Sequence, residues 1–400
     1  MSEAAGGAHA EVTSGAGDAA GAGETSGTGD AAGTTRGFPR VLRDLLVARG
    51  PSGHETAPAA VWRAAAESFG AEVDTDLLGS PRAVVASSDP SVAGKRRADG
   101  GPRRLLVMGH IDEIGLIVTH IDEQGYLWLG EIGGWDPQVL VGQRVSIATR
   151  EGPLAGVIGR KPIHLLREDD RKKAADVRDL HIDVGARDGD QAAEMVRIGD
   201  VAVIDADPLE LPNGRIAARA LDNRLGAFVA LETARLVVQE GGAGAGWELV
   251  SVAAVQEETT FGGSRTSAFA LAPDAAIVVD GTHATDAPGV EVKHVGKHEL
   301  GSGPVISRGS TLHPELFELL YETAVEEGIP FTVEAAGRNT GTDADAVHLS
   351  RGGVPTALVS IPMRYMHSPV ELVELADVHA CARLIAAAAR ALDASTAFRR

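Results

Sequence analysis

The sequence predicts an α/β fold, a mixed sheet sandwiched by helices and interrupted by an inserted, small β-rich domain. Three observations carry that expectation. Short apolar runs alternate with helix-periodic segments in both the first and the last part of the chain. Between about Gly115 and Asp205 the text changes to short alternating segments punctuated by Gly and Pro. The runs Val107–His110 and Ser251–Val255 share one layout, an apolar strand followed by a polar tip, which assigns them to a single sheet.

The elements follow in order. Residues 1–36 hold nine Gly, ten Ala and five scattered acids with almost nothing large enough to bury, the composition of a disordered tail. From Phe38 the pattern turns helical: Leu42, Leu45 and Leu46 recur on one face until Gly50-Pro51-Ser52-Gly53 stops the helix. A second helix is expected from about Thr56 to Ser68. Strands at Arg82–Ala86 and Leu105–Gly109 flank the Pro-, Gly- and Arg-rich stretch Asp89–Arg104, which reads as a flexible hairpin loop. Residues 37–114 are thus the first part of an α/β domain. The insertion, residues 115–205, carries strand-like runs at Leu116–Thr119, Tyr126–Leu129, Arg144–Ala148, Leu154–Ile158 and Val201–Ile204. The second part of the α/β domain, residues 206–395, reads as helix Gly226–Gln239, strands Glu248–Ala254 and Ala275–Val279, helix Pro314–Glu327, strand Pro355–Ser360 and helix Leu375–Leu392.

Composition narrows the function. Lys and Arg number 37 against 56 Asp and Glu, a net charge of −19 that repels nucleic acid over most of the surface. No apolar run approaches the roughly 18–20 residues of a membrane span, and the N-terminus lacks the basic-then-apolar order of a secretory signal. Cys381 is the only cysteine, so no intramolecular disulfide forms and any metal must be held by His and carboxylates. A soluble, cytoplasmic protein is expected.

Five strings carry candidate chemistry. His110 directly follows the apolar run Leu105–Met108 and Gly109, and Asp112 lies two residues on, so both side chains fall on one side of an extended chain. A carboxylate there can hold one ring nitrogen while the other meets a metal; a solvated strand end is the ordinary alternative. Glu257 and Glu258 end the apolar strand Val250–Val255, free to take different roles or merely to be hydrated. Asp280 ends the buried run Ala275–Val279 at a sheet rim, where open α/β sheets bind ligands. Asp222 and Asn223 precede a helix, where they are also ordinary caps. His367 follows the strand Thr356–Ile361 in Tyr365-Met366-His367-Ser368-Pro369. Two imidazoles with several carboxylates suit Zn²⁺, Co²⁺ or Mn²⁺. Asp222, Glu257, Glu258 and Asp280 together would bring four negative charges into one cleft, which two divalent cations offset.

These strings, in this order, resemble the M42 family of metallo-aminopeptidases, the tetrahedral and glutamyl aminopeptidases, over about residues 37–395. The segments Gly156–His164 and Gly341-Thr342-Asp343-Ala344 resemble family text as well. The resemblance implies a zinc-peptidase-like sheet with the insertion as a β-barrel or PDZ-like dimerisation domain, and dimers that close into a dodecamer. It implies two divalent ions per subunit, zinc or cobalt. His110 and Asp280 would hold one, Glu258 and His367 the other, and Asp222 would bridge them. Glu257 would be the general base, acting on a metal-bridging water that attacks the first peptide bond of short peptides. Asp112 would support His110, and the Asp222-Asn223 peptide bond would be cis. The chain departs from the family at Thr259–Ser264, where Gly, an apolar residue and Arg-Gly-Ala are usual, a change expected to bear on the substrate pocket.

Two other functions compete. Glu257 and Glu258 could be a glycosidase dyad, but neighbouring residues of one strand point to opposite faces and cannot flank one sugar bond at roughly 5–10 Å. A non-enzymatic metal-binding scaffold would not need Glu257. His120, His164, His181, His294, His298, His313 and His348 read as structural or surface residues, Cys381 as core, and Arg167–Lys173 as a solvated face or an assembly contact. Thr342-Asp343 is either a substrate contact, by resemblance, or a helix cap.

Overall fold

A computed structural model describes residues 37–89, 91, 100–168 and 174–399. The expected tail at 1–36, most of the loop at 89–104 and most of the charged cluster at 167–173 lie outside the described residues.

The first helix, Arg40–Val47, buries Leu42, Leu45 and Leu46, the stripe that predicted it. The second spans Thr56–Ser68, as expected. Strands β1 (Glu72–Thr75), β2 (Pro81–Val85) and β3 (Arg103–His110) follow. Next come β4 (Gly115–Ile121), β5 (Leu127–Ile132), β6 (Arg144–Thr149), β7 (Gly152–Gly159), β8 (His181–Asp183) and β9 (Val201–Ile204). These six close into a barrel in the order β4-β5-β8-β7-β6-β9, every pairing antiparallel, around a core that includes Leu116, Leu127, Val145 and Ile182. The three-residue β8 was too short to read from sequence.

After the barrel come β10 (Leu209–Leu211), β11 (Arg215–Ala218), β12 (Trp247–Ala254), β13 (Ala275–His283), β14 (Val305–Gly309), β15 (Thr332–Ala336), β16 (Thr356–Met363) and β17 (Glu371–Glu374). The main sheet has eight strands in the order β1-β2-β12-β3-β13-β16-β14-β15. Its four central strands, β12, β3, β13 and β16, are mutually parallel. Antiparallel pairings join β2 to β12 on one side and β14 to β16 on the other. The central strands are buried almost throughout because helices cover both faces. Leu221–Gln239 and Leu375–Ala391 pack on one face, Gly262–Leu271 and Ala344–Val347 on the other.

Three expectations change. Strands β2 and β3 are not hairpin partners, because β12 lies between them and takes the doubly buried position its apolar residues demand. The helix expected from Gly226 begins at Leu221, with Asp222 and Asn223 off helical geometry inside it. Strand β13 runs on to His283, so Asp280 lies within it rather than at its end. The separate sheet β10-β11-β17 was not foreseen. Among the described residues, no helix is long and apolar enough to cross a membrane.

Candidate metal centre

Because the four central strands are parallel, their C-terminal ends meet at one rim. His110 is the last residue of β3, Glu257 and Glu258 follow β12, Asp280 lies near the end of β13, and His367 follows β16. Asp222 comes from the helix laid across the sheet. That helix lies so close to β3 that a Cβ on Gly109 would stand 2.2 Å from the carbonyl carbon of Gly226. Asn223, not Asp222, does the capping. Its Oδ1 accepts from Gly226 N–H at 2.8 Å and its Nδ2 donates to the Val279 carbonyl at 2.8 Å, which leaves the Asp222 carboxylate for the site. The Asp222-Asn223 bond is cis.

The structure brings all seven candidate residues together. Asp222 stands between the two histidines, Oδ1 at 3.3 Å from His110 Nε2 and Oδ2 at 3.6 Å from His367 Nε2. Glu257 Oε2 is 3.6 Å from His110 Nε2, and Glu258 Oε1 is 3.5 Å from His367 Nε2. Donor atoms of His110, Glu257 and Asp280 lie within 4.8 Å of one another, as do those of His110, Asp222 and Glu258. Asp112 Oδ1 is 3.3 Å from His110 Nδ1, so Nε2 is the nitrogen presented to the cluster. Asp112 also accepts from the N–H groups of Glu257 and Glu258, at 3.1 Å each. Those glutamates do not sit on a strand. Gln256 adopts a left-handed conformation and Glu257–Thr260 is a short helix, so the alternation used against a glycosidase dyad does not apply here.

The electrostatics ask for cations. Burial pushes Glu257 up to about 10, with His110 opposing and Asp280, Asp343 and Glu258 adding. Burial also raises Asp280 well above, and Glu258 above, the carboxylate range. Burial would lower His110, but Glu257, Asp112 and Asp222 hold it well above its ordinary value. Hydrogen bonding to Asp222 and Glu258 carries His367 up to about 11. Burial is outweighed at Asp222 by the two imidazoles, and its carboxyl is lowered. Acids in surplus here hold protons that divalent cations would displace. Two imidazoles aimed at four carboxylates fit Zn²⁺ or Co²⁺ in ligand type and number.

Sequence reasoning missed the residues that hold this cluster in place. Glu371 on β17 accepts from the N–H of Asp222 through Oε2 at 3.0 Å and from the N–H of His367 through Oε1 at 2.9 Å. Glu55 Oε1 accepts from Gln256 N–H at 3.0 Å and from Gly53 N–H at 2.6 Å, and Ser52 Oγ lies 2.9 Å from Thr259 Oγ1, so the first loop clamps the turn that carries both glutamates. Glu113 is buried between Arg219 and Arg224, with Oε1 2.7 Å from Arg224 Nη2. No local signal marks these acids, because most of their partners are distant in sequence. Thr342 Oγ1 accepts from Ala344 N–H at 3.2 Å at the entry to the short helix Ala344–Val347. Asp343 is buried behind it, its carboxyl raised to about 6 by burial.

The cluster opens into a cleft of about 360 Å³, whose walls include Thr282, His283, Glu334, Thr340–Thr342 and Met366. Residues 259–264, where the chain departs from the expected family text, do not line it. The barrel does reach the cluster. A Cβ on Gly133, just past β5, would stand 3.2 Å from Glu258 Oε2, and one on Gly134 would stand 3.4 Å from His367 Nδ1.

Fold and cluster together are those of a peptidase of α/β architecture with a barrel inserted between its two halves. The chain belongs to the M42 family: the profile of the M42 glutamyl aminopeptidases matches residues 91–384. A lysyl aminopeptidase of Pyrococcus furiosus is 38% identical over 281 residues, covering 70% of this chain and 79% of that one. The TET aminopeptidase from the marine sediment archaeon Thaumarchaeota archaeon SCGC AB-539-E09 superposes with a TM-score of 0.80 at 34% identity, over 88% of this chain and 96% of that one. Pyrococcus horikoshii TET1 peptidase, described as assembling into a tetrahedron or a large octahedral shell, gives 0.74 at 29% identity over 88% and 99%. The chain is a peptidase hydrolase.

Proposed function

We propose that this enzyme removes N-terminal residues from short peptides at a centre of two divalent cations, zinc or cobalt, with Glu257 as general base. The observation that carries the reading is the convergence of His110, Asp222, Glu257, Glu258 and Asp280 into two overlapping sets of donor atoms, with His367 beside Asp222 and Glu258. His110 and Asp280 would hold one cation, Glu258 and His367 the other, and Asp222, which reaches both histidines, would hold both. When bound, such a pair acidifies a water and polarises the peptide carbonyl.

The chain's own groups do the rest. Asp112 fixes the His110 ring and, through two N–H groups, the turn that aims Glu257. Glu257 takes the proton of the attacking water and returns it to the leaving amine. Burial gives it a high proton affinity, which bound cations would lower. Glu257 and Glu258 fall in different donor sets, each shared with His110, an arrangement that serves metal ligation and argues against a glycosidase dyad. Glu257 beside the donors also argues against a scaffold without activity. The barrel carries exposed apolar side chains at Val157, Ile163 and Leu165, which favours it as the contact in a dimer and in a dodecamer built from dimers. A buried lone Cys381 favours a cytoplasmic setting.

Glu257→Gln tests the central role. It should keep both metals by elemental analysis and lose roughly 10²–10⁴-fold in kcat. A fully active variant would reject the assignment, and equal hydrolysis of N-acetylated and free peptides would reject exopeptidase action.

A further inference from the structure

The cleft carries one acid that the metal centre does not use. Glu334 lies on the edge strand β15, where the burial alternation turns it with Thr332 and Ala336 to the less exposed side, and it lines the same cleft as His110, Asp222 and Glu257. Its carboxylate is held only loosely, Oε1 accepting from Thr282 Oγ1 at 3.3 Å and Oε2 from Ser307 Oγ at 3.4 Å. Among the described residues no lysine or arginine pairs with it. Thr282 follows Asp280 by two residues on β13, so the two side chains share a face about 7 Å apart. The Glu334 carboxylate therefore sits one hydrogen bond beyond Thr282, in the wall of the cleft that also holds the donors for the metals.

A carboxylate placed beyond Thr282 suits the end of a long side chain rather than an α-amine. A substrate whose first carbonyl meets the metal centre extends its first side chain along the cleft, and a lysyl or arginyl chain has the reach to bring its cationic head to Glu334. With two divalent cations offsetting the four carboxylates of the cluster, Glu334 is the charge left to face that head. His283 is the other titratable side chain of this wall and is exposed to solvent. A glutamyl side chain in the same place would meet a like charge. Family membership leaves the matter open, since the names of the matching family and of the relative above include both glutamyl and lysyl activities.

We propose that Glu334 makes this cleft select peptides with Lys or Arg at the N-terminus. The inference rests on the aminopeptidase reading given above. Its test uses the full-length, metal-loaded enzyme with lysyl, arginyl, leucyl and glutamyl p-nitroanilides. Lysyl and arginyl substrates should lead leucyl by roughly tenfold or more in kcat/KM, with glutamyl last, and the lead should shrink as salt is added. Glu334→Gln should collapse the lysyl-to-leucyl ratio by about tenfold, and Glu334→Lys should turn the preference toward glutamyl. A wild-type preference for leucyl or glutamyl substrates overturns the proposal, as does an unchanged ratio in a Gln variant that melts like the wild type. Calorimetry with L-lysinol and L-leucinol, which have no amide to cleave, reads the Glu334 contact without turnover: tighter lysinol binding that Glu334→Gln removes supports the proposal, and equal binding overturns it. Failure of all four substrates to turn over counts against the aminopeptidase reading, while the amino-alcohol titration still decides the role of Glu334.

Discussion

Glu371 ties two backbone segments to one carboxylate, and those segments carry Asp222 and His367, which arrive from different elements. An amide in its place has one acceptor oxygen and one donor group, so one of the two N–H groups must lose its partner. Glu371→Gln is therefore expected to fold and yet bind metal roughly 10–100-fold more weakly, as supporting residues of metal sites commonly do. Competition with a chromogenic chelator, alongside a melting curve, reads this directly; wild-type affinity would show that the ligands do not need the tie. Residues of this kind were invisible in the sequence. Glu371 is an ordinary acid four positions after His367, and Glu55 an ordinary acid before a helix, until the chain folds back on them. The cluster itself was legible, because a His or an acid just past a long apolar run is conspicuous wherever it occurs.

At the scale of elements, the approach of helix to strand places Asp222 beside His110. Neither Gly109 nor Gly226 has space for a Cβ: one on Gly226 would fall 2.6 Å from the Val279 carbonyl oxygen. Gly109→Ala should push the helix Leu221–Gln239 off β3 and cost about 1–3 kcal/mol or more. Thermal unfolding checks the cost and a metal titration checks the displacement; an undisturbed variant would mean the helix yields more easily than its backbone contacts suggest. Apolar runs revealed β12, β13, β16 and the two N-terminal helices because burial on both faces, or on one stripe, writes itself into composition. What escaped was whatever depends on local backbone geometry or on partners remote in sequence. The left-handed Gln256 turns Glu257 and Glu258 into a helical turn, which no periodicity announces. The position of β12 between β2 and β3 is a matter of topology, not of any residue in the connecting loop.

Over the whole molecule, buried acids set the response to pH. Burial, with Asp112 adding, raises Glu55 from 4.5 to about 7, and burial raises Asp377 from 3.8 to about 7. The folded chain holds these protons more tightly than the unfolded chain. Their contribution to stability is full below the ordinary carboxyl values and is lost as pH rises through about 7. Chelated protein should accordingly melt several degrees higher near pH 5 than at pH 8, and Asp377→Asn should flatten the difference. Calorimetry across that range decides it, with a flat or rising profile as the contrary result.

The glycines at the end of β5 bear on how such a protein can change through descent. An inserted domain is commonly an exchangeable part, free to be lost or swapped so long as its ends meet. Here Gly133 and Gly134 stand against Glu258 and His367, so the insertion touches two side chains of the candidate metal centre. A different barrel grafted between the same two end points would arrive without that contact. Whatever the outer surface of such a barrel becomes, a larger residue at Gly133 would press on Ile114 and Glu258.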